Sequence, residues 1–109
     1  MGSQSWHSTR TIVPPLVVWS TEASYDIERH YLNLQPKNPG AAINAVQAIM
    51  AVGDSLGETP LKGARIDREE NLRKWPVFFG KYGFIIHYAV MSDAVLITRV
   101  YHGAEDRPY

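Results

Sequence analysis

Two β-prone runs near the C-terminal end, residues 84–90 and 94–101, constrain the fold of this chain more than any other feature. Both are rich in β-branched and aromatic residues, and the polar residues 91–93 separate them. Runs joined by so short a polar break are typical of an antiparallel β-hairpin. The predicted hairpin also contains polar side chains able to bind an anion or take part in catalysis: His87, Tyr88, Arg99, Tyr101 and His102.

A short apolar run and a first helical segment precede it. Residues 16–19, Leu-Val-Val-Trp, are too few for a helix and are typical of a buried strand. Ser20 or Thr21 can cap the helix that follows, and an acidic residue in its opening turns suits the helix dipole. The residues expected there are Glu22 and Asp26, and the predicted packing face is Ala23, Ile27, Tyr31 and Leu34.

A second helix is predicted from Asn38-Pro39, where a capping residue is followed by proline at the first helical position. Pro36 ends the helix before it. Small and apolar residues recur every three or four positions along the second helix and predict its buried face: Ala42, Val46, Ile49, Gly53 and Leu56. The alanines at 41, 42, 45 and 48 allow the two helices to approach closely as an antiparallel pair.

The region between the helices and the hairpin is harder to interpret. Residues 57–63 predict a loop, with Leu61 inserted into the core, and the charged residues 64–70 favour no element. Residues 72–78 predict a strand that lies at a sheet edge or contains a bulge, because Pro76 removes a backbone donor. The expected fold is therefore α+β: a strand, a two-helix antiparallel hairpin, then a three-stranded antiparallel sheet with the helices on one face. We expect one domain over residues 16–107, preceded by a flexible tail over residues 1–15.

Composition excludes several classes of protein. The 109 residues carry 11 Lys or Arg and 11 Asp or Glu, so no overall charge attracts nucleic acid. There is no cysteine, which excludes disulfides and fits a cytoplasmic location. No apolar run approaches the roughly 20 residues that span a bilayer, so no membrane association is expected.

The sequence predicts neither a metal site nor a cofactor. The four histidines (His7, His30, His87 and His102) have no paired spacing typical of metal ligands. There is no nucleophile motif of the GxSxG type and no glycine-rich phosphate loop. Residues 80–83, Gly-Lys-Tyr-Gly, predict a turn instead.

Two groups of side chains remain as candidates for function. His102 near Arg99 is the one plausible core of an acid–base site for RNA cleavage, although ordinary charges at a strand edge explain these residues more simply. Strand alternation predicts Arg99 and Tyr101 on one face, opposite Val100 and His102. Trp75 and residues 78–79, both phenylalanine, crowd near Pro76 and indicate either a protein-binding edge or packing under the helices. Tyr88 is interpreted as a core aromatic with its hydroxyl at the rim.

Taken together, short motifs in a specific order resemble the toxins of the RelE/ParE superfamily, and the ParE branch in particular. The likeness covers about residues 16–107. It is carried by Val18-Trp19-Ser20, Ala23, Asp26-Ile27, Tyr31, Pro39, Ala42, Leu56, Pro60, Gly63-Ala-Arg65, Arg73, Pro76-Val77, Tyr82, Ile85-Ile-His-Tyr88 and residues 95–103.

The resemblance implies the stable toxin of a bacterial type II toxin–antitoxin pair, often encoded on a plasmid that it stabilises. A labile antitoxin would lie across its surface and neutralise it, with an oligomer of the two as one expected form. ParE-like members are described as inhibitors of DNA gyrase, whereas RelE-like members cleave mRNA on the ribosome.

The resemblance favours the ParE branch, because Glu105 stands where many relatives carry arginine and would repel a scissile phosphate. The expected partner-binding residues are Arg73, Trp75, Phe78, Tyr88, Arg99, Tyr101 and His102. The alternative is a ribosome-dependent mRNA endonuclease that uses Arg65, Arg73, Arg99 and His102. A third interpretation is a protein of this fold that has lost its toxicity.

Overall fold

The computed structural model describes residues 15–67 and 71–107, and these form a sheet with two helices packed on one of its faces. The predicted tail lies outside the described residues except for Pro15. In chain order the elements are β1 Leu16–Trp19, α1 Thr21–Leu34, α2 Pro39–Ser55, β2 Ala64–Asp67, β3 Leu72–Val77, β4 Phe84–Val90 and β5 Ala94–His102.

The sheet has five strands in the order β1-β5-β4-β3-β2. The predicted hairpin is present as β4 and β5, and β3 pairs with β4, so the antiparallel core and the α+β class are confirmed. The predicted three-stranded sheet lacked two strands, which join it at its edges. Because β2 is one of them, β3 lies between β4 and β2 and is not the edge strand that Pro76 favoured. β2 forms from the charged segment that favoured no element, and β1 pairs in parallel with β5, from Leu16↔Ala94 to Trp19↔Ile97.

The expectation that β1 is buried was wrong. Leu16 and Val18 are exposed, because β1 is the outermost strand and only the alternate side chains, Val17 and Trp19, turn toward the core. The Trp19 ring packs so tightly on Gly53 of α2 that a Cβ at that position would overlap it. Gly53 therefore allows α2 to lie against β1.

Both helices begin where the sequence predicts. The Ser20 hydroxyl accepts a hydrogen bond from the amide of Ala23 at 3.0 Å, and the Asn38 side chain does the same for Ala41 at 3.0 Å. Pro39 occupies the first turn of α2. Each cap satisfies a backbone donor that the first helical turn leaves without a partner.

The core lies between the helices and one face of the sheet. Its largest fully buried side chains are Tyr88, Ile49, Leu56, Ile86, Ile97, Val77, Val95 and Val100. Ala42, Ala45, Ile49 and Gly53 form the buried face of α2, with Val46 only half-buried. The predicted stripe was thus right except that Ala45 replaces Val46 at its centre.

The loop before β2 is held by polar contacts and not by Leu61, which is 62% exposed, so its predicted insertion into the core was wrong. The Tyr88 hydroxyl donates to the carbonyl of Pro60 at 2.8 Å and accepts from the amide of Gly63 at 2.9 Å. The Arg73 guanidinium donates to the carbonyls of Leu61 at 3.1 Å and Gly63 at 2.7 Å. These bonds fix the loop while the Leu61 side chain faces water.

The turn between β3 and β4 is built on two glycines with positive φ, Gly80 at 58° and Gly83 at 65°. These values lie in the left-handed region that side chains disfavour, and the predicted turn over residues 80–83 is confirmed. None of the helices within residues 15–67 and 71–107 has both the length and the apolar character needed to span a bilayer.

Candidate functional site

The sheet has one face under the helices, and no helix among the described residues covers its other face, which we call the open face. Strand alternation and register divide the side chains of β3, β4 and β5 between the two. Phe84, Ile86 and Tyr88 of β4 are buried on the helix side. The residues of alternate parity form the open face: Lys74, Pro76, Ile85, His87, Arg99 and Tyr101.

A β-bulge on β5 changes the alternation in the middle of this face. His87 pairs with Arg99 and Tyr88 with Ile97, so Thr98 has no partner residue on β4. The Thr98 hydroxyl donates to the carbonyl of His87 at 3.1 Å. The bulge keeps Ile97 and Val100 in the core while turning Arg99 to the open face.

Arg99 is bound to a buried carboxylate. Its Nε and Nη2 lie 2.7 Å and 3.0 Å from the two carboxylate oxygens of Asp26. Asp26 is buried in α1, whereas the Arg99 side chain remains 41% exposed. Such a bidentate pair fixes the orientation of the guanidinium as well as its charge.

The Asp26 carboxylate stays ionised. Burial raises the pKa of Asp26, but hydrogen bonds from Arg99 and from the amide of Val100 outweigh burial and bring the pKa below its ordinary 3.8. The same bond to Asp26 raises the pKa of Arg99. Both partners are therefore charged at neutral pH.

Asp26 and His30 of α1 also occupy the edge of β5 beyond the end of β1. The Val100 amide donates to Asp26 at 2.8 Å, and the Val100 carbonyl accepts from His30 Nε2 at 2.8 Å. A further strand would ordinarily satisfy these two groups. Two side chains one helical turn apart do so instead, and this contact fixes α1 against the sheet.

His30 and His87 are both held neutral. Burial lowers the pKa of His30, which is 3% exposed. Burial, followed by the charges of Lys74, Arg107 and Arg99, lowers the pKa of His87 to about 4. The neutral His30 carries its proton on Nε2, because the Val100 carbonyl can only accept.

Aromatic contacts order the rest of the open face. The His87 and Tyr101 rings meet edge to face with centroids 4.8 Å apart. The Arg99 guanidinium lies 5.0 Å from the centroid of Tyr101. Tyr101 is buried by these neighbours, so the surface that a partner meets is mainly cationic, with an aromatic layer beneath it.

Arg65 and Arg73 lie at the other end of the sheet. They are register partners on β2 and β3, and Arg73 pairs in turn with Tyr88. Tyr88 is completely buried, so it does not belong to a partner-binding surface, and Arg73 is occupied in holding the loop before β2. The interpretation of Tyr88 as a core aromatic agrees with the structure.

The aromatic residues near Pro76 separate into different environments. Phe78, just after β3, is 89% exposed and is available to a partner. Trp75 is half-buried, with the Lys62 ammonium 4.7 Å from its ring centroid. Only Phe78 therefore matches the exposed aromatic that a protein-binding edge requires.

His102 lies on the helix side, in a groove of about 840 Å³ at the C-terminal end of α1. We call this the helix-end groove, and its walls are the last half of α1 and the β3–β4 turn. Its floor contains the rings of His30, Phe84 and His102, with Phe84 5.0 Å from His30 and 5.7 Å from His102 between centroids. The rim carries Arg29, Lys37, Lys81 and Glu105.

Glu105 helps to form the end of this groove. Its carboxylate accepts a hydrogen bond from the amide of His102 at 2.9 Å and lies 3.2 Å from the Arg29 guanidinium. It therefore caps the end of β5 and neutralises a rim cation. This structural role accounts for an acidic residue where the resemblance led us to expect arginine.

The predicted site residues thus fall into separate regions. Arg99 and Tyr101 share the open face, and Phe78 projects from the end of β3. His102 faces the helix-end groove. Arg73 is held by its hydrogen bonds to the loop before β2. Within residues 15–67 and 71–107, no three metal-ligating side chains are grouped closely enough to hold an ion.

The sequence did not indicate the two side chains of α1 that hold Arg99 and the edge of β5 in place. Asp26 was assigned to the helix dipole, and His30 was not assigned a role. Their signal was nevertheless present, because a carboxylate and an imidazole four residues apart follow the apolar face of Ala23 and Ile27 around the helix. Polar groups beside such a stripe are buried only when they have partners.

A family model for the ParE toxin of the type II toxin–antitoxin system parDE matches residues 17–107. The chain belongs to the ParE toxin family. The match covers all the described elements except Leu16, the first residue of β1, and the resemblance to the RelE/ParE superfamily is confirmed.

Two curated relatives are also toxins of this superfamily. Toxin RelE1 of Caulobacter vibrioides is 31% identical over 91 residues, which are 84% of this chain and 96% of the relative. Toxin RelE3 of the same organism is 35% identical over 69 residues, which are 63% of this chain and 73% of the relative.

Solved structures share the fold. A chain of the chromosomal ParDE toxin–antitoxin system of P. aeruginosa superposes with a TM-score of 0.66 at 21% identity, covering 81% of this chain and 95% of that one. A chain of the toxin–antitoxin complex RelBE2 of Mycobacterium tuberculosis gives a TM-score of 0.60 at 21% identity, covering 87% and 98%.

Proposed function

We propose that this toxin arrests growth by binding DNA gyrase, in the cytoplasm, and that a cognate antitoxin neutralises it. The observation that carries the proposal is the dispersal of the four side chains on which RNA cleavage would depend. Family membership supports it further, because ParE-like toxins are described as gyrase inhibitors and the model that matches is a ParE model.

RNA cleavage requires a base, an acid and a cation around one phosphate, each within hydrogen-bonding distance. Here Arg73 donates to two loop carbonyls and Arg99 to Asp26. His102 is on the opposite face of the sheet from Arg99. No single phosphate can contact these groups together.

A protein target suits the exposed features better. Phe78 is a large, almost fully exposed aromatic side chain, and such residues are frequent hot spots of protein interfaces. The cationic open face beside it can provide a polar rim and speed association with an acidic surface. We therefore assign gyrase binding to the end of β3 and the adjoining open face.

The antitoxin forms part of the same proposal. The two solved structures described above come from toxin–antitoxin systems, which supports a partner of that kind for this chain. We expect the pair to form a stable complex, with the free toxin released only when the antitoxin is degraded.

The test is a supercoiling assay with purified gyrase and purified toxin, run beside a ribosome-dependent mRNA cleavage assay. Inhibition of supercoiling without cleaved transcripts is expected. Phe78→Ser should weaken inhibition at least tenfold, because one desolvated aromatic contact is worth about 2 kcal/mol. Met91→Ser is the matched control, since Met91 is also exposed but lies on the β4–β5 turn. Cleaved mRNA with unaffected supercoiling would refute the proposal.

One observation favours the mRNA endonuclease as a second candidate. The cations that lower the pKa of His87 (Lys74, Arg107 and Arg99) produce a positive field at the open face, and such a field attracts phosphate. The buried His87 is nevertheless a poor base, because its pKa is about 4. If His102→Ala abolishes both growth arrest and transcript cleavage, the nuclease is the correct assignment.

A further inference from the structure

We propose that gyrase inserts an acidic segment, a carboxylate beside an apolar side chain, into a concave site at the edge of the open face. We call this site the edge pocket. This inference rests on the proposed function, because it names the chemistry by which the open face recognises its target. The edge pocket shares no lining residue with the helix-end groove.

The edge pocket lies where the sheet becomes one strand narrower. β2 begins at Ala64, which pairs with Lys74, so residues 75–77 of β3 have no register partner on β2. The pocket is lined by Lys62, Ala64, residues 74–76, Ile85 and Arg107. Five segments therefore meet around it: the loop before β2, three strands and the residues after β5.

The floor of the edge pocket is apolar. Pro76 and Ile85 are register partners on β3 and β4, and both side chains belong to the open face. The volume of about 400 Å³ lies within the roughly 300–1,000 Å³ of small-ligand sites. An apolar side chain that covers Pro76 and Ile85 is stabilised there, because hydrocarbon surface is removed from water.

Three cations surround this floor: Lys62, Lys74 and Arg107. They come from segments far apart in the sequence, and no carboxylate is among the described residues that line the pocket. Lys74 and Arg107 also lower the pKa of His87 on the open face, so their charges act on the same surface. Like charges gathered around a small apolar volume create a positive potential that attracts an anion.

Two of these cations are not neutralised by the described part of the chain. No carboxylate there lies within salt-bridge distance of Lys62 or Arg107. The Lys62 ammonium lies 4.7 Å from the centroid of the Trp75 ring, which holds it beside the pocket. Arg107 Nη1 donates to the Gly103 carbonyl at the long distance of 3.4 Å, and the buried Nε has no hydrogen-bond partner among the described residues. A planar carboxylate suits a guanidinium whose donors are so little used.

A protein segment fits this combination better than a nucleic acid. A phosphate backbone requires cations in a row along its path, whereas these three are grouped around one apolar floor. A carboxylate next to an apolar side chain matches both the charge and the floor. Phe78 follows Pro76 by two residues, roughly 7 Å along a strand, so one partner surface can cover Phe78 and enter the pocket.

The first test titrates the isotope-labelled, full-length toxin with a blocked peptide of about five residues that alternates leucine and glutamate, and follows it by NMR. A peptide with glutamine in place of glutamate is the control for charge. The indole signal of Trp75 should shift, because Trp75 lines the pocket. That of Trp19, which donates to Asp54 at 3.1 Å, should not. The glutamate peptide should bind about fivefold more tightly. Equal affinity of the two peptides, or no shift at Trp75, overturns the proposal.

Two pairs of substitutions with the same change of net charge locate the site on the toxin. Lys62→Gln with Arg107→Gln removes two positive charges at the pocket, and Asn44→Asp with Gln47→Glu adds two negative charges at exposed positions of α2. The first pair should weaken both gyrase binding and inhibition of supercoiling about tenfold, and the second less than twofold. Equal effects of the two pairs mean that only overall charge matters and overturn the proposal.

Ala64→Leu tests insertion without changing any charge. The larger side chain fills part of the pocket, so gyrase binding should weaken about tenfold, whereas attraction at long range would be unaffected. Unchanged binding by this variant overturns the proposal. Two further results assign the pocket to another occupant: an oligouridylate that shifts the Trp75 signal and binds more tightly than the glutamate peptide, or a toxin dimer that Ala64→Leu dissociates.

The proposed function fails by a different measurement. If the wild-type toxin does not inhibit supercoiling, gyrase is not the target, and the proposed function is wrong. If the wild type inhibits supercoiling and the Lys62, Arg107 and Ala64 variants inhibit it equally well, the assignment of the edge pocket alone is wrong.

Discussion

The backbone amides and carbonyls on the outer edge of β5 find different hydrogen-bond partners in the two halves of the strand. From Ala94 to Ile97 the edge pairs with β1 through a parallel backbone ladder. Beyond Ile97, side chains replace the ladder: the Ser20 hydroxyl donates to the Thr98 carbonyl at 3.0 Å, and Asp26 and His30 bind both polar groups of Val100. The difference shows that a helix can complete a sheet where a strand stops.

This contrast has an energetic consequence. Ladder hydrogen bonds form between backbone groups and depend little on residue type, whereas each bond in the second half depends on one side chain. Single substitutions of the α1 side chains that bind the second half should therefore lower the free energy of unfolding strongly. The four predictions below test that difference, from the largest expected effect to the smallest.

Asp26→Ala should have the largest effect. It leaves the Val100 amide without its acceptor and Arg99 without its partner, and we expect the free energy of unfolding to fall by about 2–4 kcal/mol. Urea denaturation at pH 7.5 measures this loss. Glu22→Ala, at an exposed position in the first turn of the same helix, should cost less than about 1 kcal/mol. Equal losses for the two variants would contradict the special role of Asp26.

Acid should weaken the protein through the histidines that flank the second half. The folded-state pKa of His87 is about 4, below the ordinary 6.5, so the unfolded chain binds more protons below pH 6.5. Stability should therefore be complete above pH 6.5 and decline as the pH falls toward 4, by about 2–3 kcal/mol between pH 7.5 and 4.5. His30 acts in the same direction.

The control for this pH effect is His87→Gln, which cannot titrate. Its stability should vary much less over the same range, as measured by urea denaturation at several pH values. The stabilising contribution of the Asp26 carboxylate stays complete over this range and is lost only below about pH 4, because the pKa of Asp26 is lowered from 3.8. A stability that stays constant in the wild type from pH 7.5 to 4.5 would show that the two histidines are not held neutral.

His30→Leu should cost about 1–2 kcal/mol, because the Val100 carbonyl loses its donor inside the protein. The amide of His30→Gln can still donate to that carbonyl, so this variant should recover part of the loss. Thermal unfolding of the two variants side by side measures the difference. If leucine is tolerated better than glutamine, packing and not the hydrogen bond explains why a histidine stands here.

Ser20→Ala should have the smallest effect and lower the free energy of unfolding by about 1 kcal/mol. The substitution removes the cap of α1 and the hydrogen bond to the Thr98 carbonyl, at the junction between the two halves of β5. Thr21→Ala, at the exposed next position, should stay within about 0.5 kcal/mol of the wild type. Chemical denaturation measures both. A larger loss at Thr21 would show that Thr21 is the true cap.

The elements that the sequence predicted correctly are those with local causes. The caps at Ser20 and Asn38 act within three residues, and the hairpin of β4 and β5 follows from two β-prone runs and a short polar break. The turn at Gly80 and Gly83 is likewise local, since glycine tolerates positive φ. These signals do not depend on the rest of the molecule.

The candidate site was predicted less well, because its residues meet across long sequence separations. Strand alternation placed Arg99 and His102 on opposite faces correctly, but the surroundings of each, Asp26 of α1 for Arg99 and the helix-end groove for His102, come from distant segments. Tyr88 and Arg73 belong to a loop anchor, which no local pattern indicates. Trp75 and Phe78 are three residues apart, and only register and exposure show which of them faces solvent.

By itself, the sequence determined the helices, the antiparallel hairpin, the absence of cysteine chemistry and, through its motifs, the toxin family. The tertiary structure decided that β1 joins β5 in parallel, that Asp26 and His30 complete the edge of β5, and that His102 faces a separate groove. The physical reason is that propensity and capping act over a few residues. Strand pairing, buried ion pairs and grooves depend on which distant segments meet when the core is buried.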